Sequence, residues 1–148
     1  GRTGGVTANV HDQLHQIWRG MADEGLISEE QYKKGTVLNF YKSPEEFMAP
    51  LKDTSSAPYR NGLRLVDERT VYVKCPYRRR WNDNGDTAAF AAGLMATIRS
   101  WSRHSFASTA GDAAADTVYE RLQQRIAEAP SEWSLDYVEH HQMMEKVA

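Results

Sequence analysis

Only two segments of this chain read as β-strand, and two long helical segments lie between them. The first is "LRLVDERTVYVKC" at 63–75, where Leu63 and Leu65 alternate and then Val71, Val73 and Cys75, with a turn or bulge expected at the polar "DERT". The second is the tail "WSLDYVEHHQMMEK", with Leu135, Tyr137, Glu139, His141 and Met143 on one parity and Val138, His140, Gln142 and Met144 on the other. Taken alone, "EHHQMMEK" also fits a helix. Two strands make a poor sheet by themselves, because their edges and faces need further strands. The pattern predicts a helix-rich α/β chain that is part of something larger.

The helices carry the rest of the apolar sequence. Val10, Leu14, Ile17, Trp18 and Met21 fall on one helical face, with Thr7 or Asn9 to cap it and Gly25 to stop it. Ser28-Glu29-Glu30 opens a short helical turn that ends at Gly35. "TVLNFY" (36–41) is extended in character. Ser43-Pro44-Glu45-Glu46 starts a helix with Ser at the cap, Pro at the first position and acids in the first turn, and Phe47, Met48 and Leu51 give it a buried side. Residues 53–62 and the stretch "PYRRRWNDNGD" read as loops. Asp86 or Thr87 caps a third main helix whose face is Phe90, Leu94, Met95, Ile98, Trp101 and Ser102. Gly111-Asp112 separates it from a fourth, with Ala115, Val118, Tyr119, Leu122 and Ile126, which Pro130 closes.

Composition removes several classes. The chain has 148 residues and a net charge of −2, so a general polyanion binder is not expected, and neither is a nucleic-acid partner. The one basic run, Arg78-Arg79-Arg80 beside Trp81, reads as a solvated loop. No apolar run approaches the roughly 18 residues of a membrane span. Cys75 is the single cysteine, so a disulfide framework is excluded, and a reducing, cytoplasmic setting is expected.

Chemistry-bearing residues are sparse. His11 and His15 stand four apart, which places two imidazoles on one helix face, but no Glu of the HExxH kind lies between them and no third ligand is identifiable. His140 and His141 are adjacent, so on a strand they point to opposite faces. Cys75, beside Pro76, suits a buried structural thiol better than a nucleophile. There is no GxSxG elbow and no pair of carboxylates set for acid–base work. Trp18, Trp81, Trp101 and Trp133 can line a pocket or fill a core, and Trp18 reads as core.

One stretch is more specific. "LHQIWRGMADEGLISEEQYKKGTVLNFYKSPEEFMAPL" resembles the SABATH family of S-adenosylmethionine-dependent carboxyl methyltransferases. Glu24-Gly25-Leu26-Ile27 and Glu29-Glu30 stand for that family's "EGLI" and its glutamates, and "VLNFYKSPEEF" for its extended "FNIPxYxPSxEEV" segment, without the proline expected near Asn39. A second block, "IRSWSRHSFASTAGDAAADTVYERL", keeps Arg99, Gly111, Val118-Tyr119 and Arg121, while Arg103-His104 and Thr109-Ala110 replace Glu-Pro and His-Phe. The tail "DYVEHHQMMEK" is similar to the last strand of the family.

The resemblance spans roughly residues 8–146 and covers only the C-terminal part of such an enzyme. It implies a single segment, 1–148, that is the C-terminal fragment of a Rossmann-like methyltransferase fold: a helical cap plus two terminal, antiparallel strands, without the N-terminal cofactor-binding half. It implies a small-molecule carboxylate as substrate and S-adenosylmethionine as cofactor of the parent, with none binding this segment alone. A carboxylate is already ionised at neutral pH, so the implied in-line methyl transfer needs no general base, only orientation and exclusion of water. The acceptor pocket is implied at Val10, His11, Tyr41, Ile98 and Trp101. The competing reading is a stand-alone, non-catalytic helical module that presents an aromatic groove to a partner. A homodimer through the cap helices or the exposed strand edges is a further expectation.

Overall fold

The computed structural model describes residues 8–37 and 42–147. In chain order the elements are α1 (Val10–Asp23), α2 (Glu29–Lys34), α3 (Pro44–Lys52), α4 (Ala57–Arg60), β1 (Leu63–Val73), α5 (Pro76–Asn84), α6 (Thr87–Ala110), α7 (Asp112–Glu128), a 3-10 turn (Pro130–Glu132) and β2 (Tyr137–Lys146). They form two compact units. One takes α1, α2 and everything from Cys75 to Leu135; the other takes α3, α4 and the two strands.

The first unit is helical, and its core follows the stripes in the sequence. Leu14, Ile17, Trp18 and Met21 of α1 are buried with Phe90, Leu94, Ile98 and Phe106 of α6 and Ala115, Val118, Leu122 and Ile126 of α7. Trp18 is locked at both ends of its ring system. Its indole N–H donates to the Tyr32 carbonyl at 3.0 Å, and its face meets Phe106 with centroids 4.8 Å apart. A Cβ at Gly35 would stand 2.7 Å from Trp18 Cζ2, so glycine there lets the end of α2 close onto the indole. Ser102 is the one fully buried polar side chain among the described residues. Its hydroxyl donates to the Ile98 carbonyl at 2.7 Å, which leaves its oxygen to accept from the Tyr119 hydroxyl at 2.8 Å.

The stretch expected as a loop at 76–84 is helix α5, and the reason is capping. Pro76 sits at the first helical position, where its missing N–H costs nothing, and Cys75 Sγ accepts the Arg78 N–H at 3.4 Å. Gly85, with φ of 69°, ends it in the left-handed conformation. Pro and Gly therefore bound this element and do not break it. Trp81 anchors it by stacking on Phe90 at 5.5 Å. Cys75 is buried.

In the second unit β1 and β2 pair antiparallel, from Leu63↔Lys146 to Val73↔Tyr137. The helical alternative for the tail is thereby excluded. The polar segment of β1 stays in the strand, and the irregularity lies just before it: the register shifts between Leu65 and Asp67, which makes Val66 the bulged residue. The loop expected at 53–62 contains one turn of helix, α4, where the Ser56 hydroxyl accepts the Tyr59 N–H at 3.2 Å. α3 starts where expected, with a reciprocal Ser43–Glu46 capping box. It buries Met48 and Leu51, but Phe47 is 54% exposed and lies edge-on to His140.

Candidate functional site

The two long-range candidates that meet are His11 and Trp101. Asn9 caps α1 by accepting the His11 and Asp12 N–H groups at 2.9 and 3.3 Å, which fixes His11 in the first turn. Trp101 sits on α6 next to the buried Ser102, at the border of the stripe and not within it. Its indole is 43% exposed, contrary to the buried face expected from its spacing. The two rings stack, with centroids 5.1 Å apart and planes inclined by 29°. The result is a half-exposed aromatic shelf made by residues of two helices far apart in sequence, α1 and α6.

One turn along α1, His15 continues the shelf. Its Nε2 is 3.1 Å from the Tyr32 hydroxyl, and the two rings are tilted at 5.7 Å. Tyr32 is held in turn by the Arg19 guanidinium, 4.8 Å above its ring, while Arg19 is itself pinned by Asp23 and Glu29. Those carboxylates raise the Arg19 pKa, the bond to Asp23 most, so its charge is fixed. Between the imidazoles lies a cavity of about 10 Å³, lined by His11, Leu14, His15, Trp18, Thr36, Val37 and Phe106. That is room for one water-sized group.

No protein-family model matches the chain, and no curated protein matches it.

The other implied pocket positions are placed differently. Val10 and Ile98 are buried in the core beneath the shelf. Tyr41 lies outside the described residues. His15 is exposed, and the sequence does not single out Tyr32, which it meets, or Thr36, which lines the same cavity. The four-residue spacing from His11 was the available signal for His15; nothing in the sequence marks a hydroxyl supplied by a separate short helix.

Several other features have structural explanations. Arg78, in the basic run, donates to the carbonyls of Pro130, Ser131 and Trp133 at 2.8, 2.8 and 2.9 Å and so ties α5 to the 3-10 turn. Among the described residues no three His, Cys, Asp or Glu side chains gather as metal ligands, and no helix is long and apolar enough to cross a membrane. In the second unit an open hollow of about 300 Å³ is lined by Glu45, Lys52, Glu68, Thr70 and His140 among others. His140 takes Thr70 at Nδ1 (3.1 Å), and its Nε2 is sealed from solvent 3.8 Å from Glu68. The Glu45 carboxyl is held below its ordinary range by its own backbone N–H and then by Ser43. His141 faces the other side and pairs with Glu139 at 2.8 Å. A nucleotide-type cofactor needs a strand, a glycine-rich turn and a helix N-terminus in succession. β1 is followed by Lys74-Cys75-Pro76 with no glycine, so the described residues do not fit S-adenosylmethionine.

Proposed function

We propose that this chain is the acceptor-binding part of a methyltransferase that esterifies a small planar carboxylic acid, and that the cofactor is bound elsewhere in the working enzyme. The observation that carries the reading is the His11–Trp101 stack at 5.1 Å. Two positions assigned to one acceptor pocket by resemblance, and far apart in sequence, share one surface. A planar acid packs along the exposed edge of the stacked pair, against the open part of the Trp101 indole and with its carboxylate toward His11. Apart from holding and orienting that carboxylate, the site needs no acid–base residue, since the nucleophile is ionised at neutral pH.

The second unit supports the same reading. Val66, Tyr72, Tyr137, Val138, Met143 and Met144 of the two strands are all exposed, an unusual apolar surface for a two-stranded sheet. In this reading β1 and β2 are the last strands of a larger sheet that also carries the cofactor. The test is an NMR titration of the full chain with benzoate and, separately, benzamide. Saturable shifts of the Trp101 indole N–H and the His11 ring with benzoate, and weaker ones with benzamide, are expected. Equal shifts with both, or none with either, would remove the carboxylate site.

A further inference from the structure

We infer that Thr70, His140 and Glu68 form a nucleophile relay at the open hollow of the second unit, and that its substrates are small, short-chain carboxylic esters. All three side chains belong to β1 and β2, so the inference does not rest on the acceptor reading above.

The order of the groups carries it. Pairing of β1 with β2 sets Thr70 opposite His140, and Glu68 lies two residues back on the same face of β1. The His140 side chain is 15% exposed. Its Nε2 is sealed from solvent, makes no hydrogen bond among the described residues, and faces Glu68 Oε2 at 3.8 Å. A carboxylate only accepts, so Nε2 carries the ring proton and Nδ1 is the basic nitrogen. Nδ1 meets the Thr70 hydroxyl at 3.1 Å, and that hydroxyl therefore donates to it. Thr70 itself is exposed and lines the hollow. The imidazole thus stands between an open hydroxyl and a carboxylate that orients it, which is the arrangement that activates a nucleophile. A cross-strand hydrogen bond between Thr70 and His140 has no need of a carboxylate behind the ring.

The surroundings state what can react. The hollow has about 300 Å³, the scale of a small-molecule pocket, and Pro44 and Met48 give it an apolar wall for a short acyl chain. Lys52 and Arg69 also line it and are the cations that can meet negative charge developing on the acyl oxygen. Lys52 holds the other oxygen of Glu68 at 3.3 Å. Glu45 lines the hollow too, so two carboxylates face the imidazolium as it forms. In the first step Thr70 Oγ1 bonds to the ester carbonyl carbon and its proton passes to His140 Nδ1. The carbon–oxygen bond to the alcohol then breaks, and the alcohol leaves with that proton. Water attacks the acyl-Thr70 ester in the same way, which releases the acid and restores the hydroxyl. Thr70 and His140 are the catalytic residues, and Glu68 is the positioning residue.

The experiment treats the full chain with 4-nitrophenyl acetate, follows nitrophenolate release, and locates the acetyl group by peptide mass after an acid quench. An acetyl group on Thr70 is expected. Thr70→Val should lose it, and Thr70→Ser should keep an acetylated residue 70. His140→Gln should slow acetylation at that position about a hundredfold or more. Glu68→Gln should lower kcat and leave KM unchanged, with part of the loss recovered in Glu68→Asp. Thr70 and Glu68 are both exposed, so folding is not at stake in their replacement. No acetyl group on Thr70, or acetylation as fast in His140→Gln, would refute the relay and leave Thr70 and His140 as a cross-strand pair. A Glu68→Gln variant with unchanged kcat would remove Glu68 from it.

Discussion

The two units bury their apolar residues very differently. In the helical unit, three stripes close on each other, and Leu94, Ile98, Val118, Leu122 and Ile126 are wholly removed from water. In the strand unit only Met48 and Leu51 are buried among the described residues, and large apolar side chains of both strands stay exposed, Tyr72 at 75%. Both units obey the same local rules of capping and alternation. The difference is that helices can bury a stripe against their sequence neighbours, whereas a strand needs partners on its edges and a layer on its faces. Local order in the second unit is therefore written in the chain, while most of its strand side chains stay open to solvent.

Substitutions sharpen this contrast. The largest effect is expected from Leu122→Ala, which opens a cavity in the helical unit and should cost about 2–5 kcal/mol in urea unfolding. A loss below about 1 kcal/mol would mean that this core is loosely packed. Next is the buried Ser102–Tyr119 pair. Burial raises the Tyr119 pKa, with the Ser102 bond opposing it in part. The folded state therefore keeps the phenol neutral where the unfolded chain ionises near pH 10. That contribution is complete below pH about 10 and is lost as pH rises through the folded-state value, with a slope of at most about 1.4 kcal/mol per pH unit. Denaturation curves in this alkaline range should flatten in Tyr119→Phe, and an unchanged slope would show that another group governs it. Ser102→Ala should cost about 1–3 kcal/mol by stranding the Tyr119 hydroxyl. The smallest effect is expected from Met143→Ser on the open sheet, within about 0.5 kcal/mol in the isolated chain. If it rivals Leu122→Ala, the sheet is already covered and the contrast between the units disappears.

Much of this was legible in the sequence. Apolar spacing located α1, α6 and α7, and the Ser43-Pro44-Glu45-Glu46 start of α3 carried its own capping box. The strands are readable from alternation, but their pairing register is not, and the bulge at Val66 precedes the polar segment where the irregularity is expected. Helix α5 is not legible in the sequence because its Pro, Asn and Gly residues are equally at home in loops; its caps and the partly buried stack of Trp81 on Phe90 distinguish the two. Trp101 and Phe47 were misplaced because each lies one step off a stripe, where spacing alone does not say whether a neighbouring element covers it. His11 and Trp101 are both singled out by the sequence, but their stacking is a tertiary fact, and the hydrogen bond between Tyr32 and His15 has no sequence signal.

The most direct test is methyl transfer by the protein purified from the cells that produce it, with methyl-labelled S-adenosylmethionine and a set of planar carboxylic acids. The account predicts a labelled, base-labile methyl ester from at least one acid, and loss of that product in Trp101→Ala and His11→Ala. Binding of those acids at Trp101 with no ester formed from any of them would contradict it and leave a ligand-binding module in place of an enzyme.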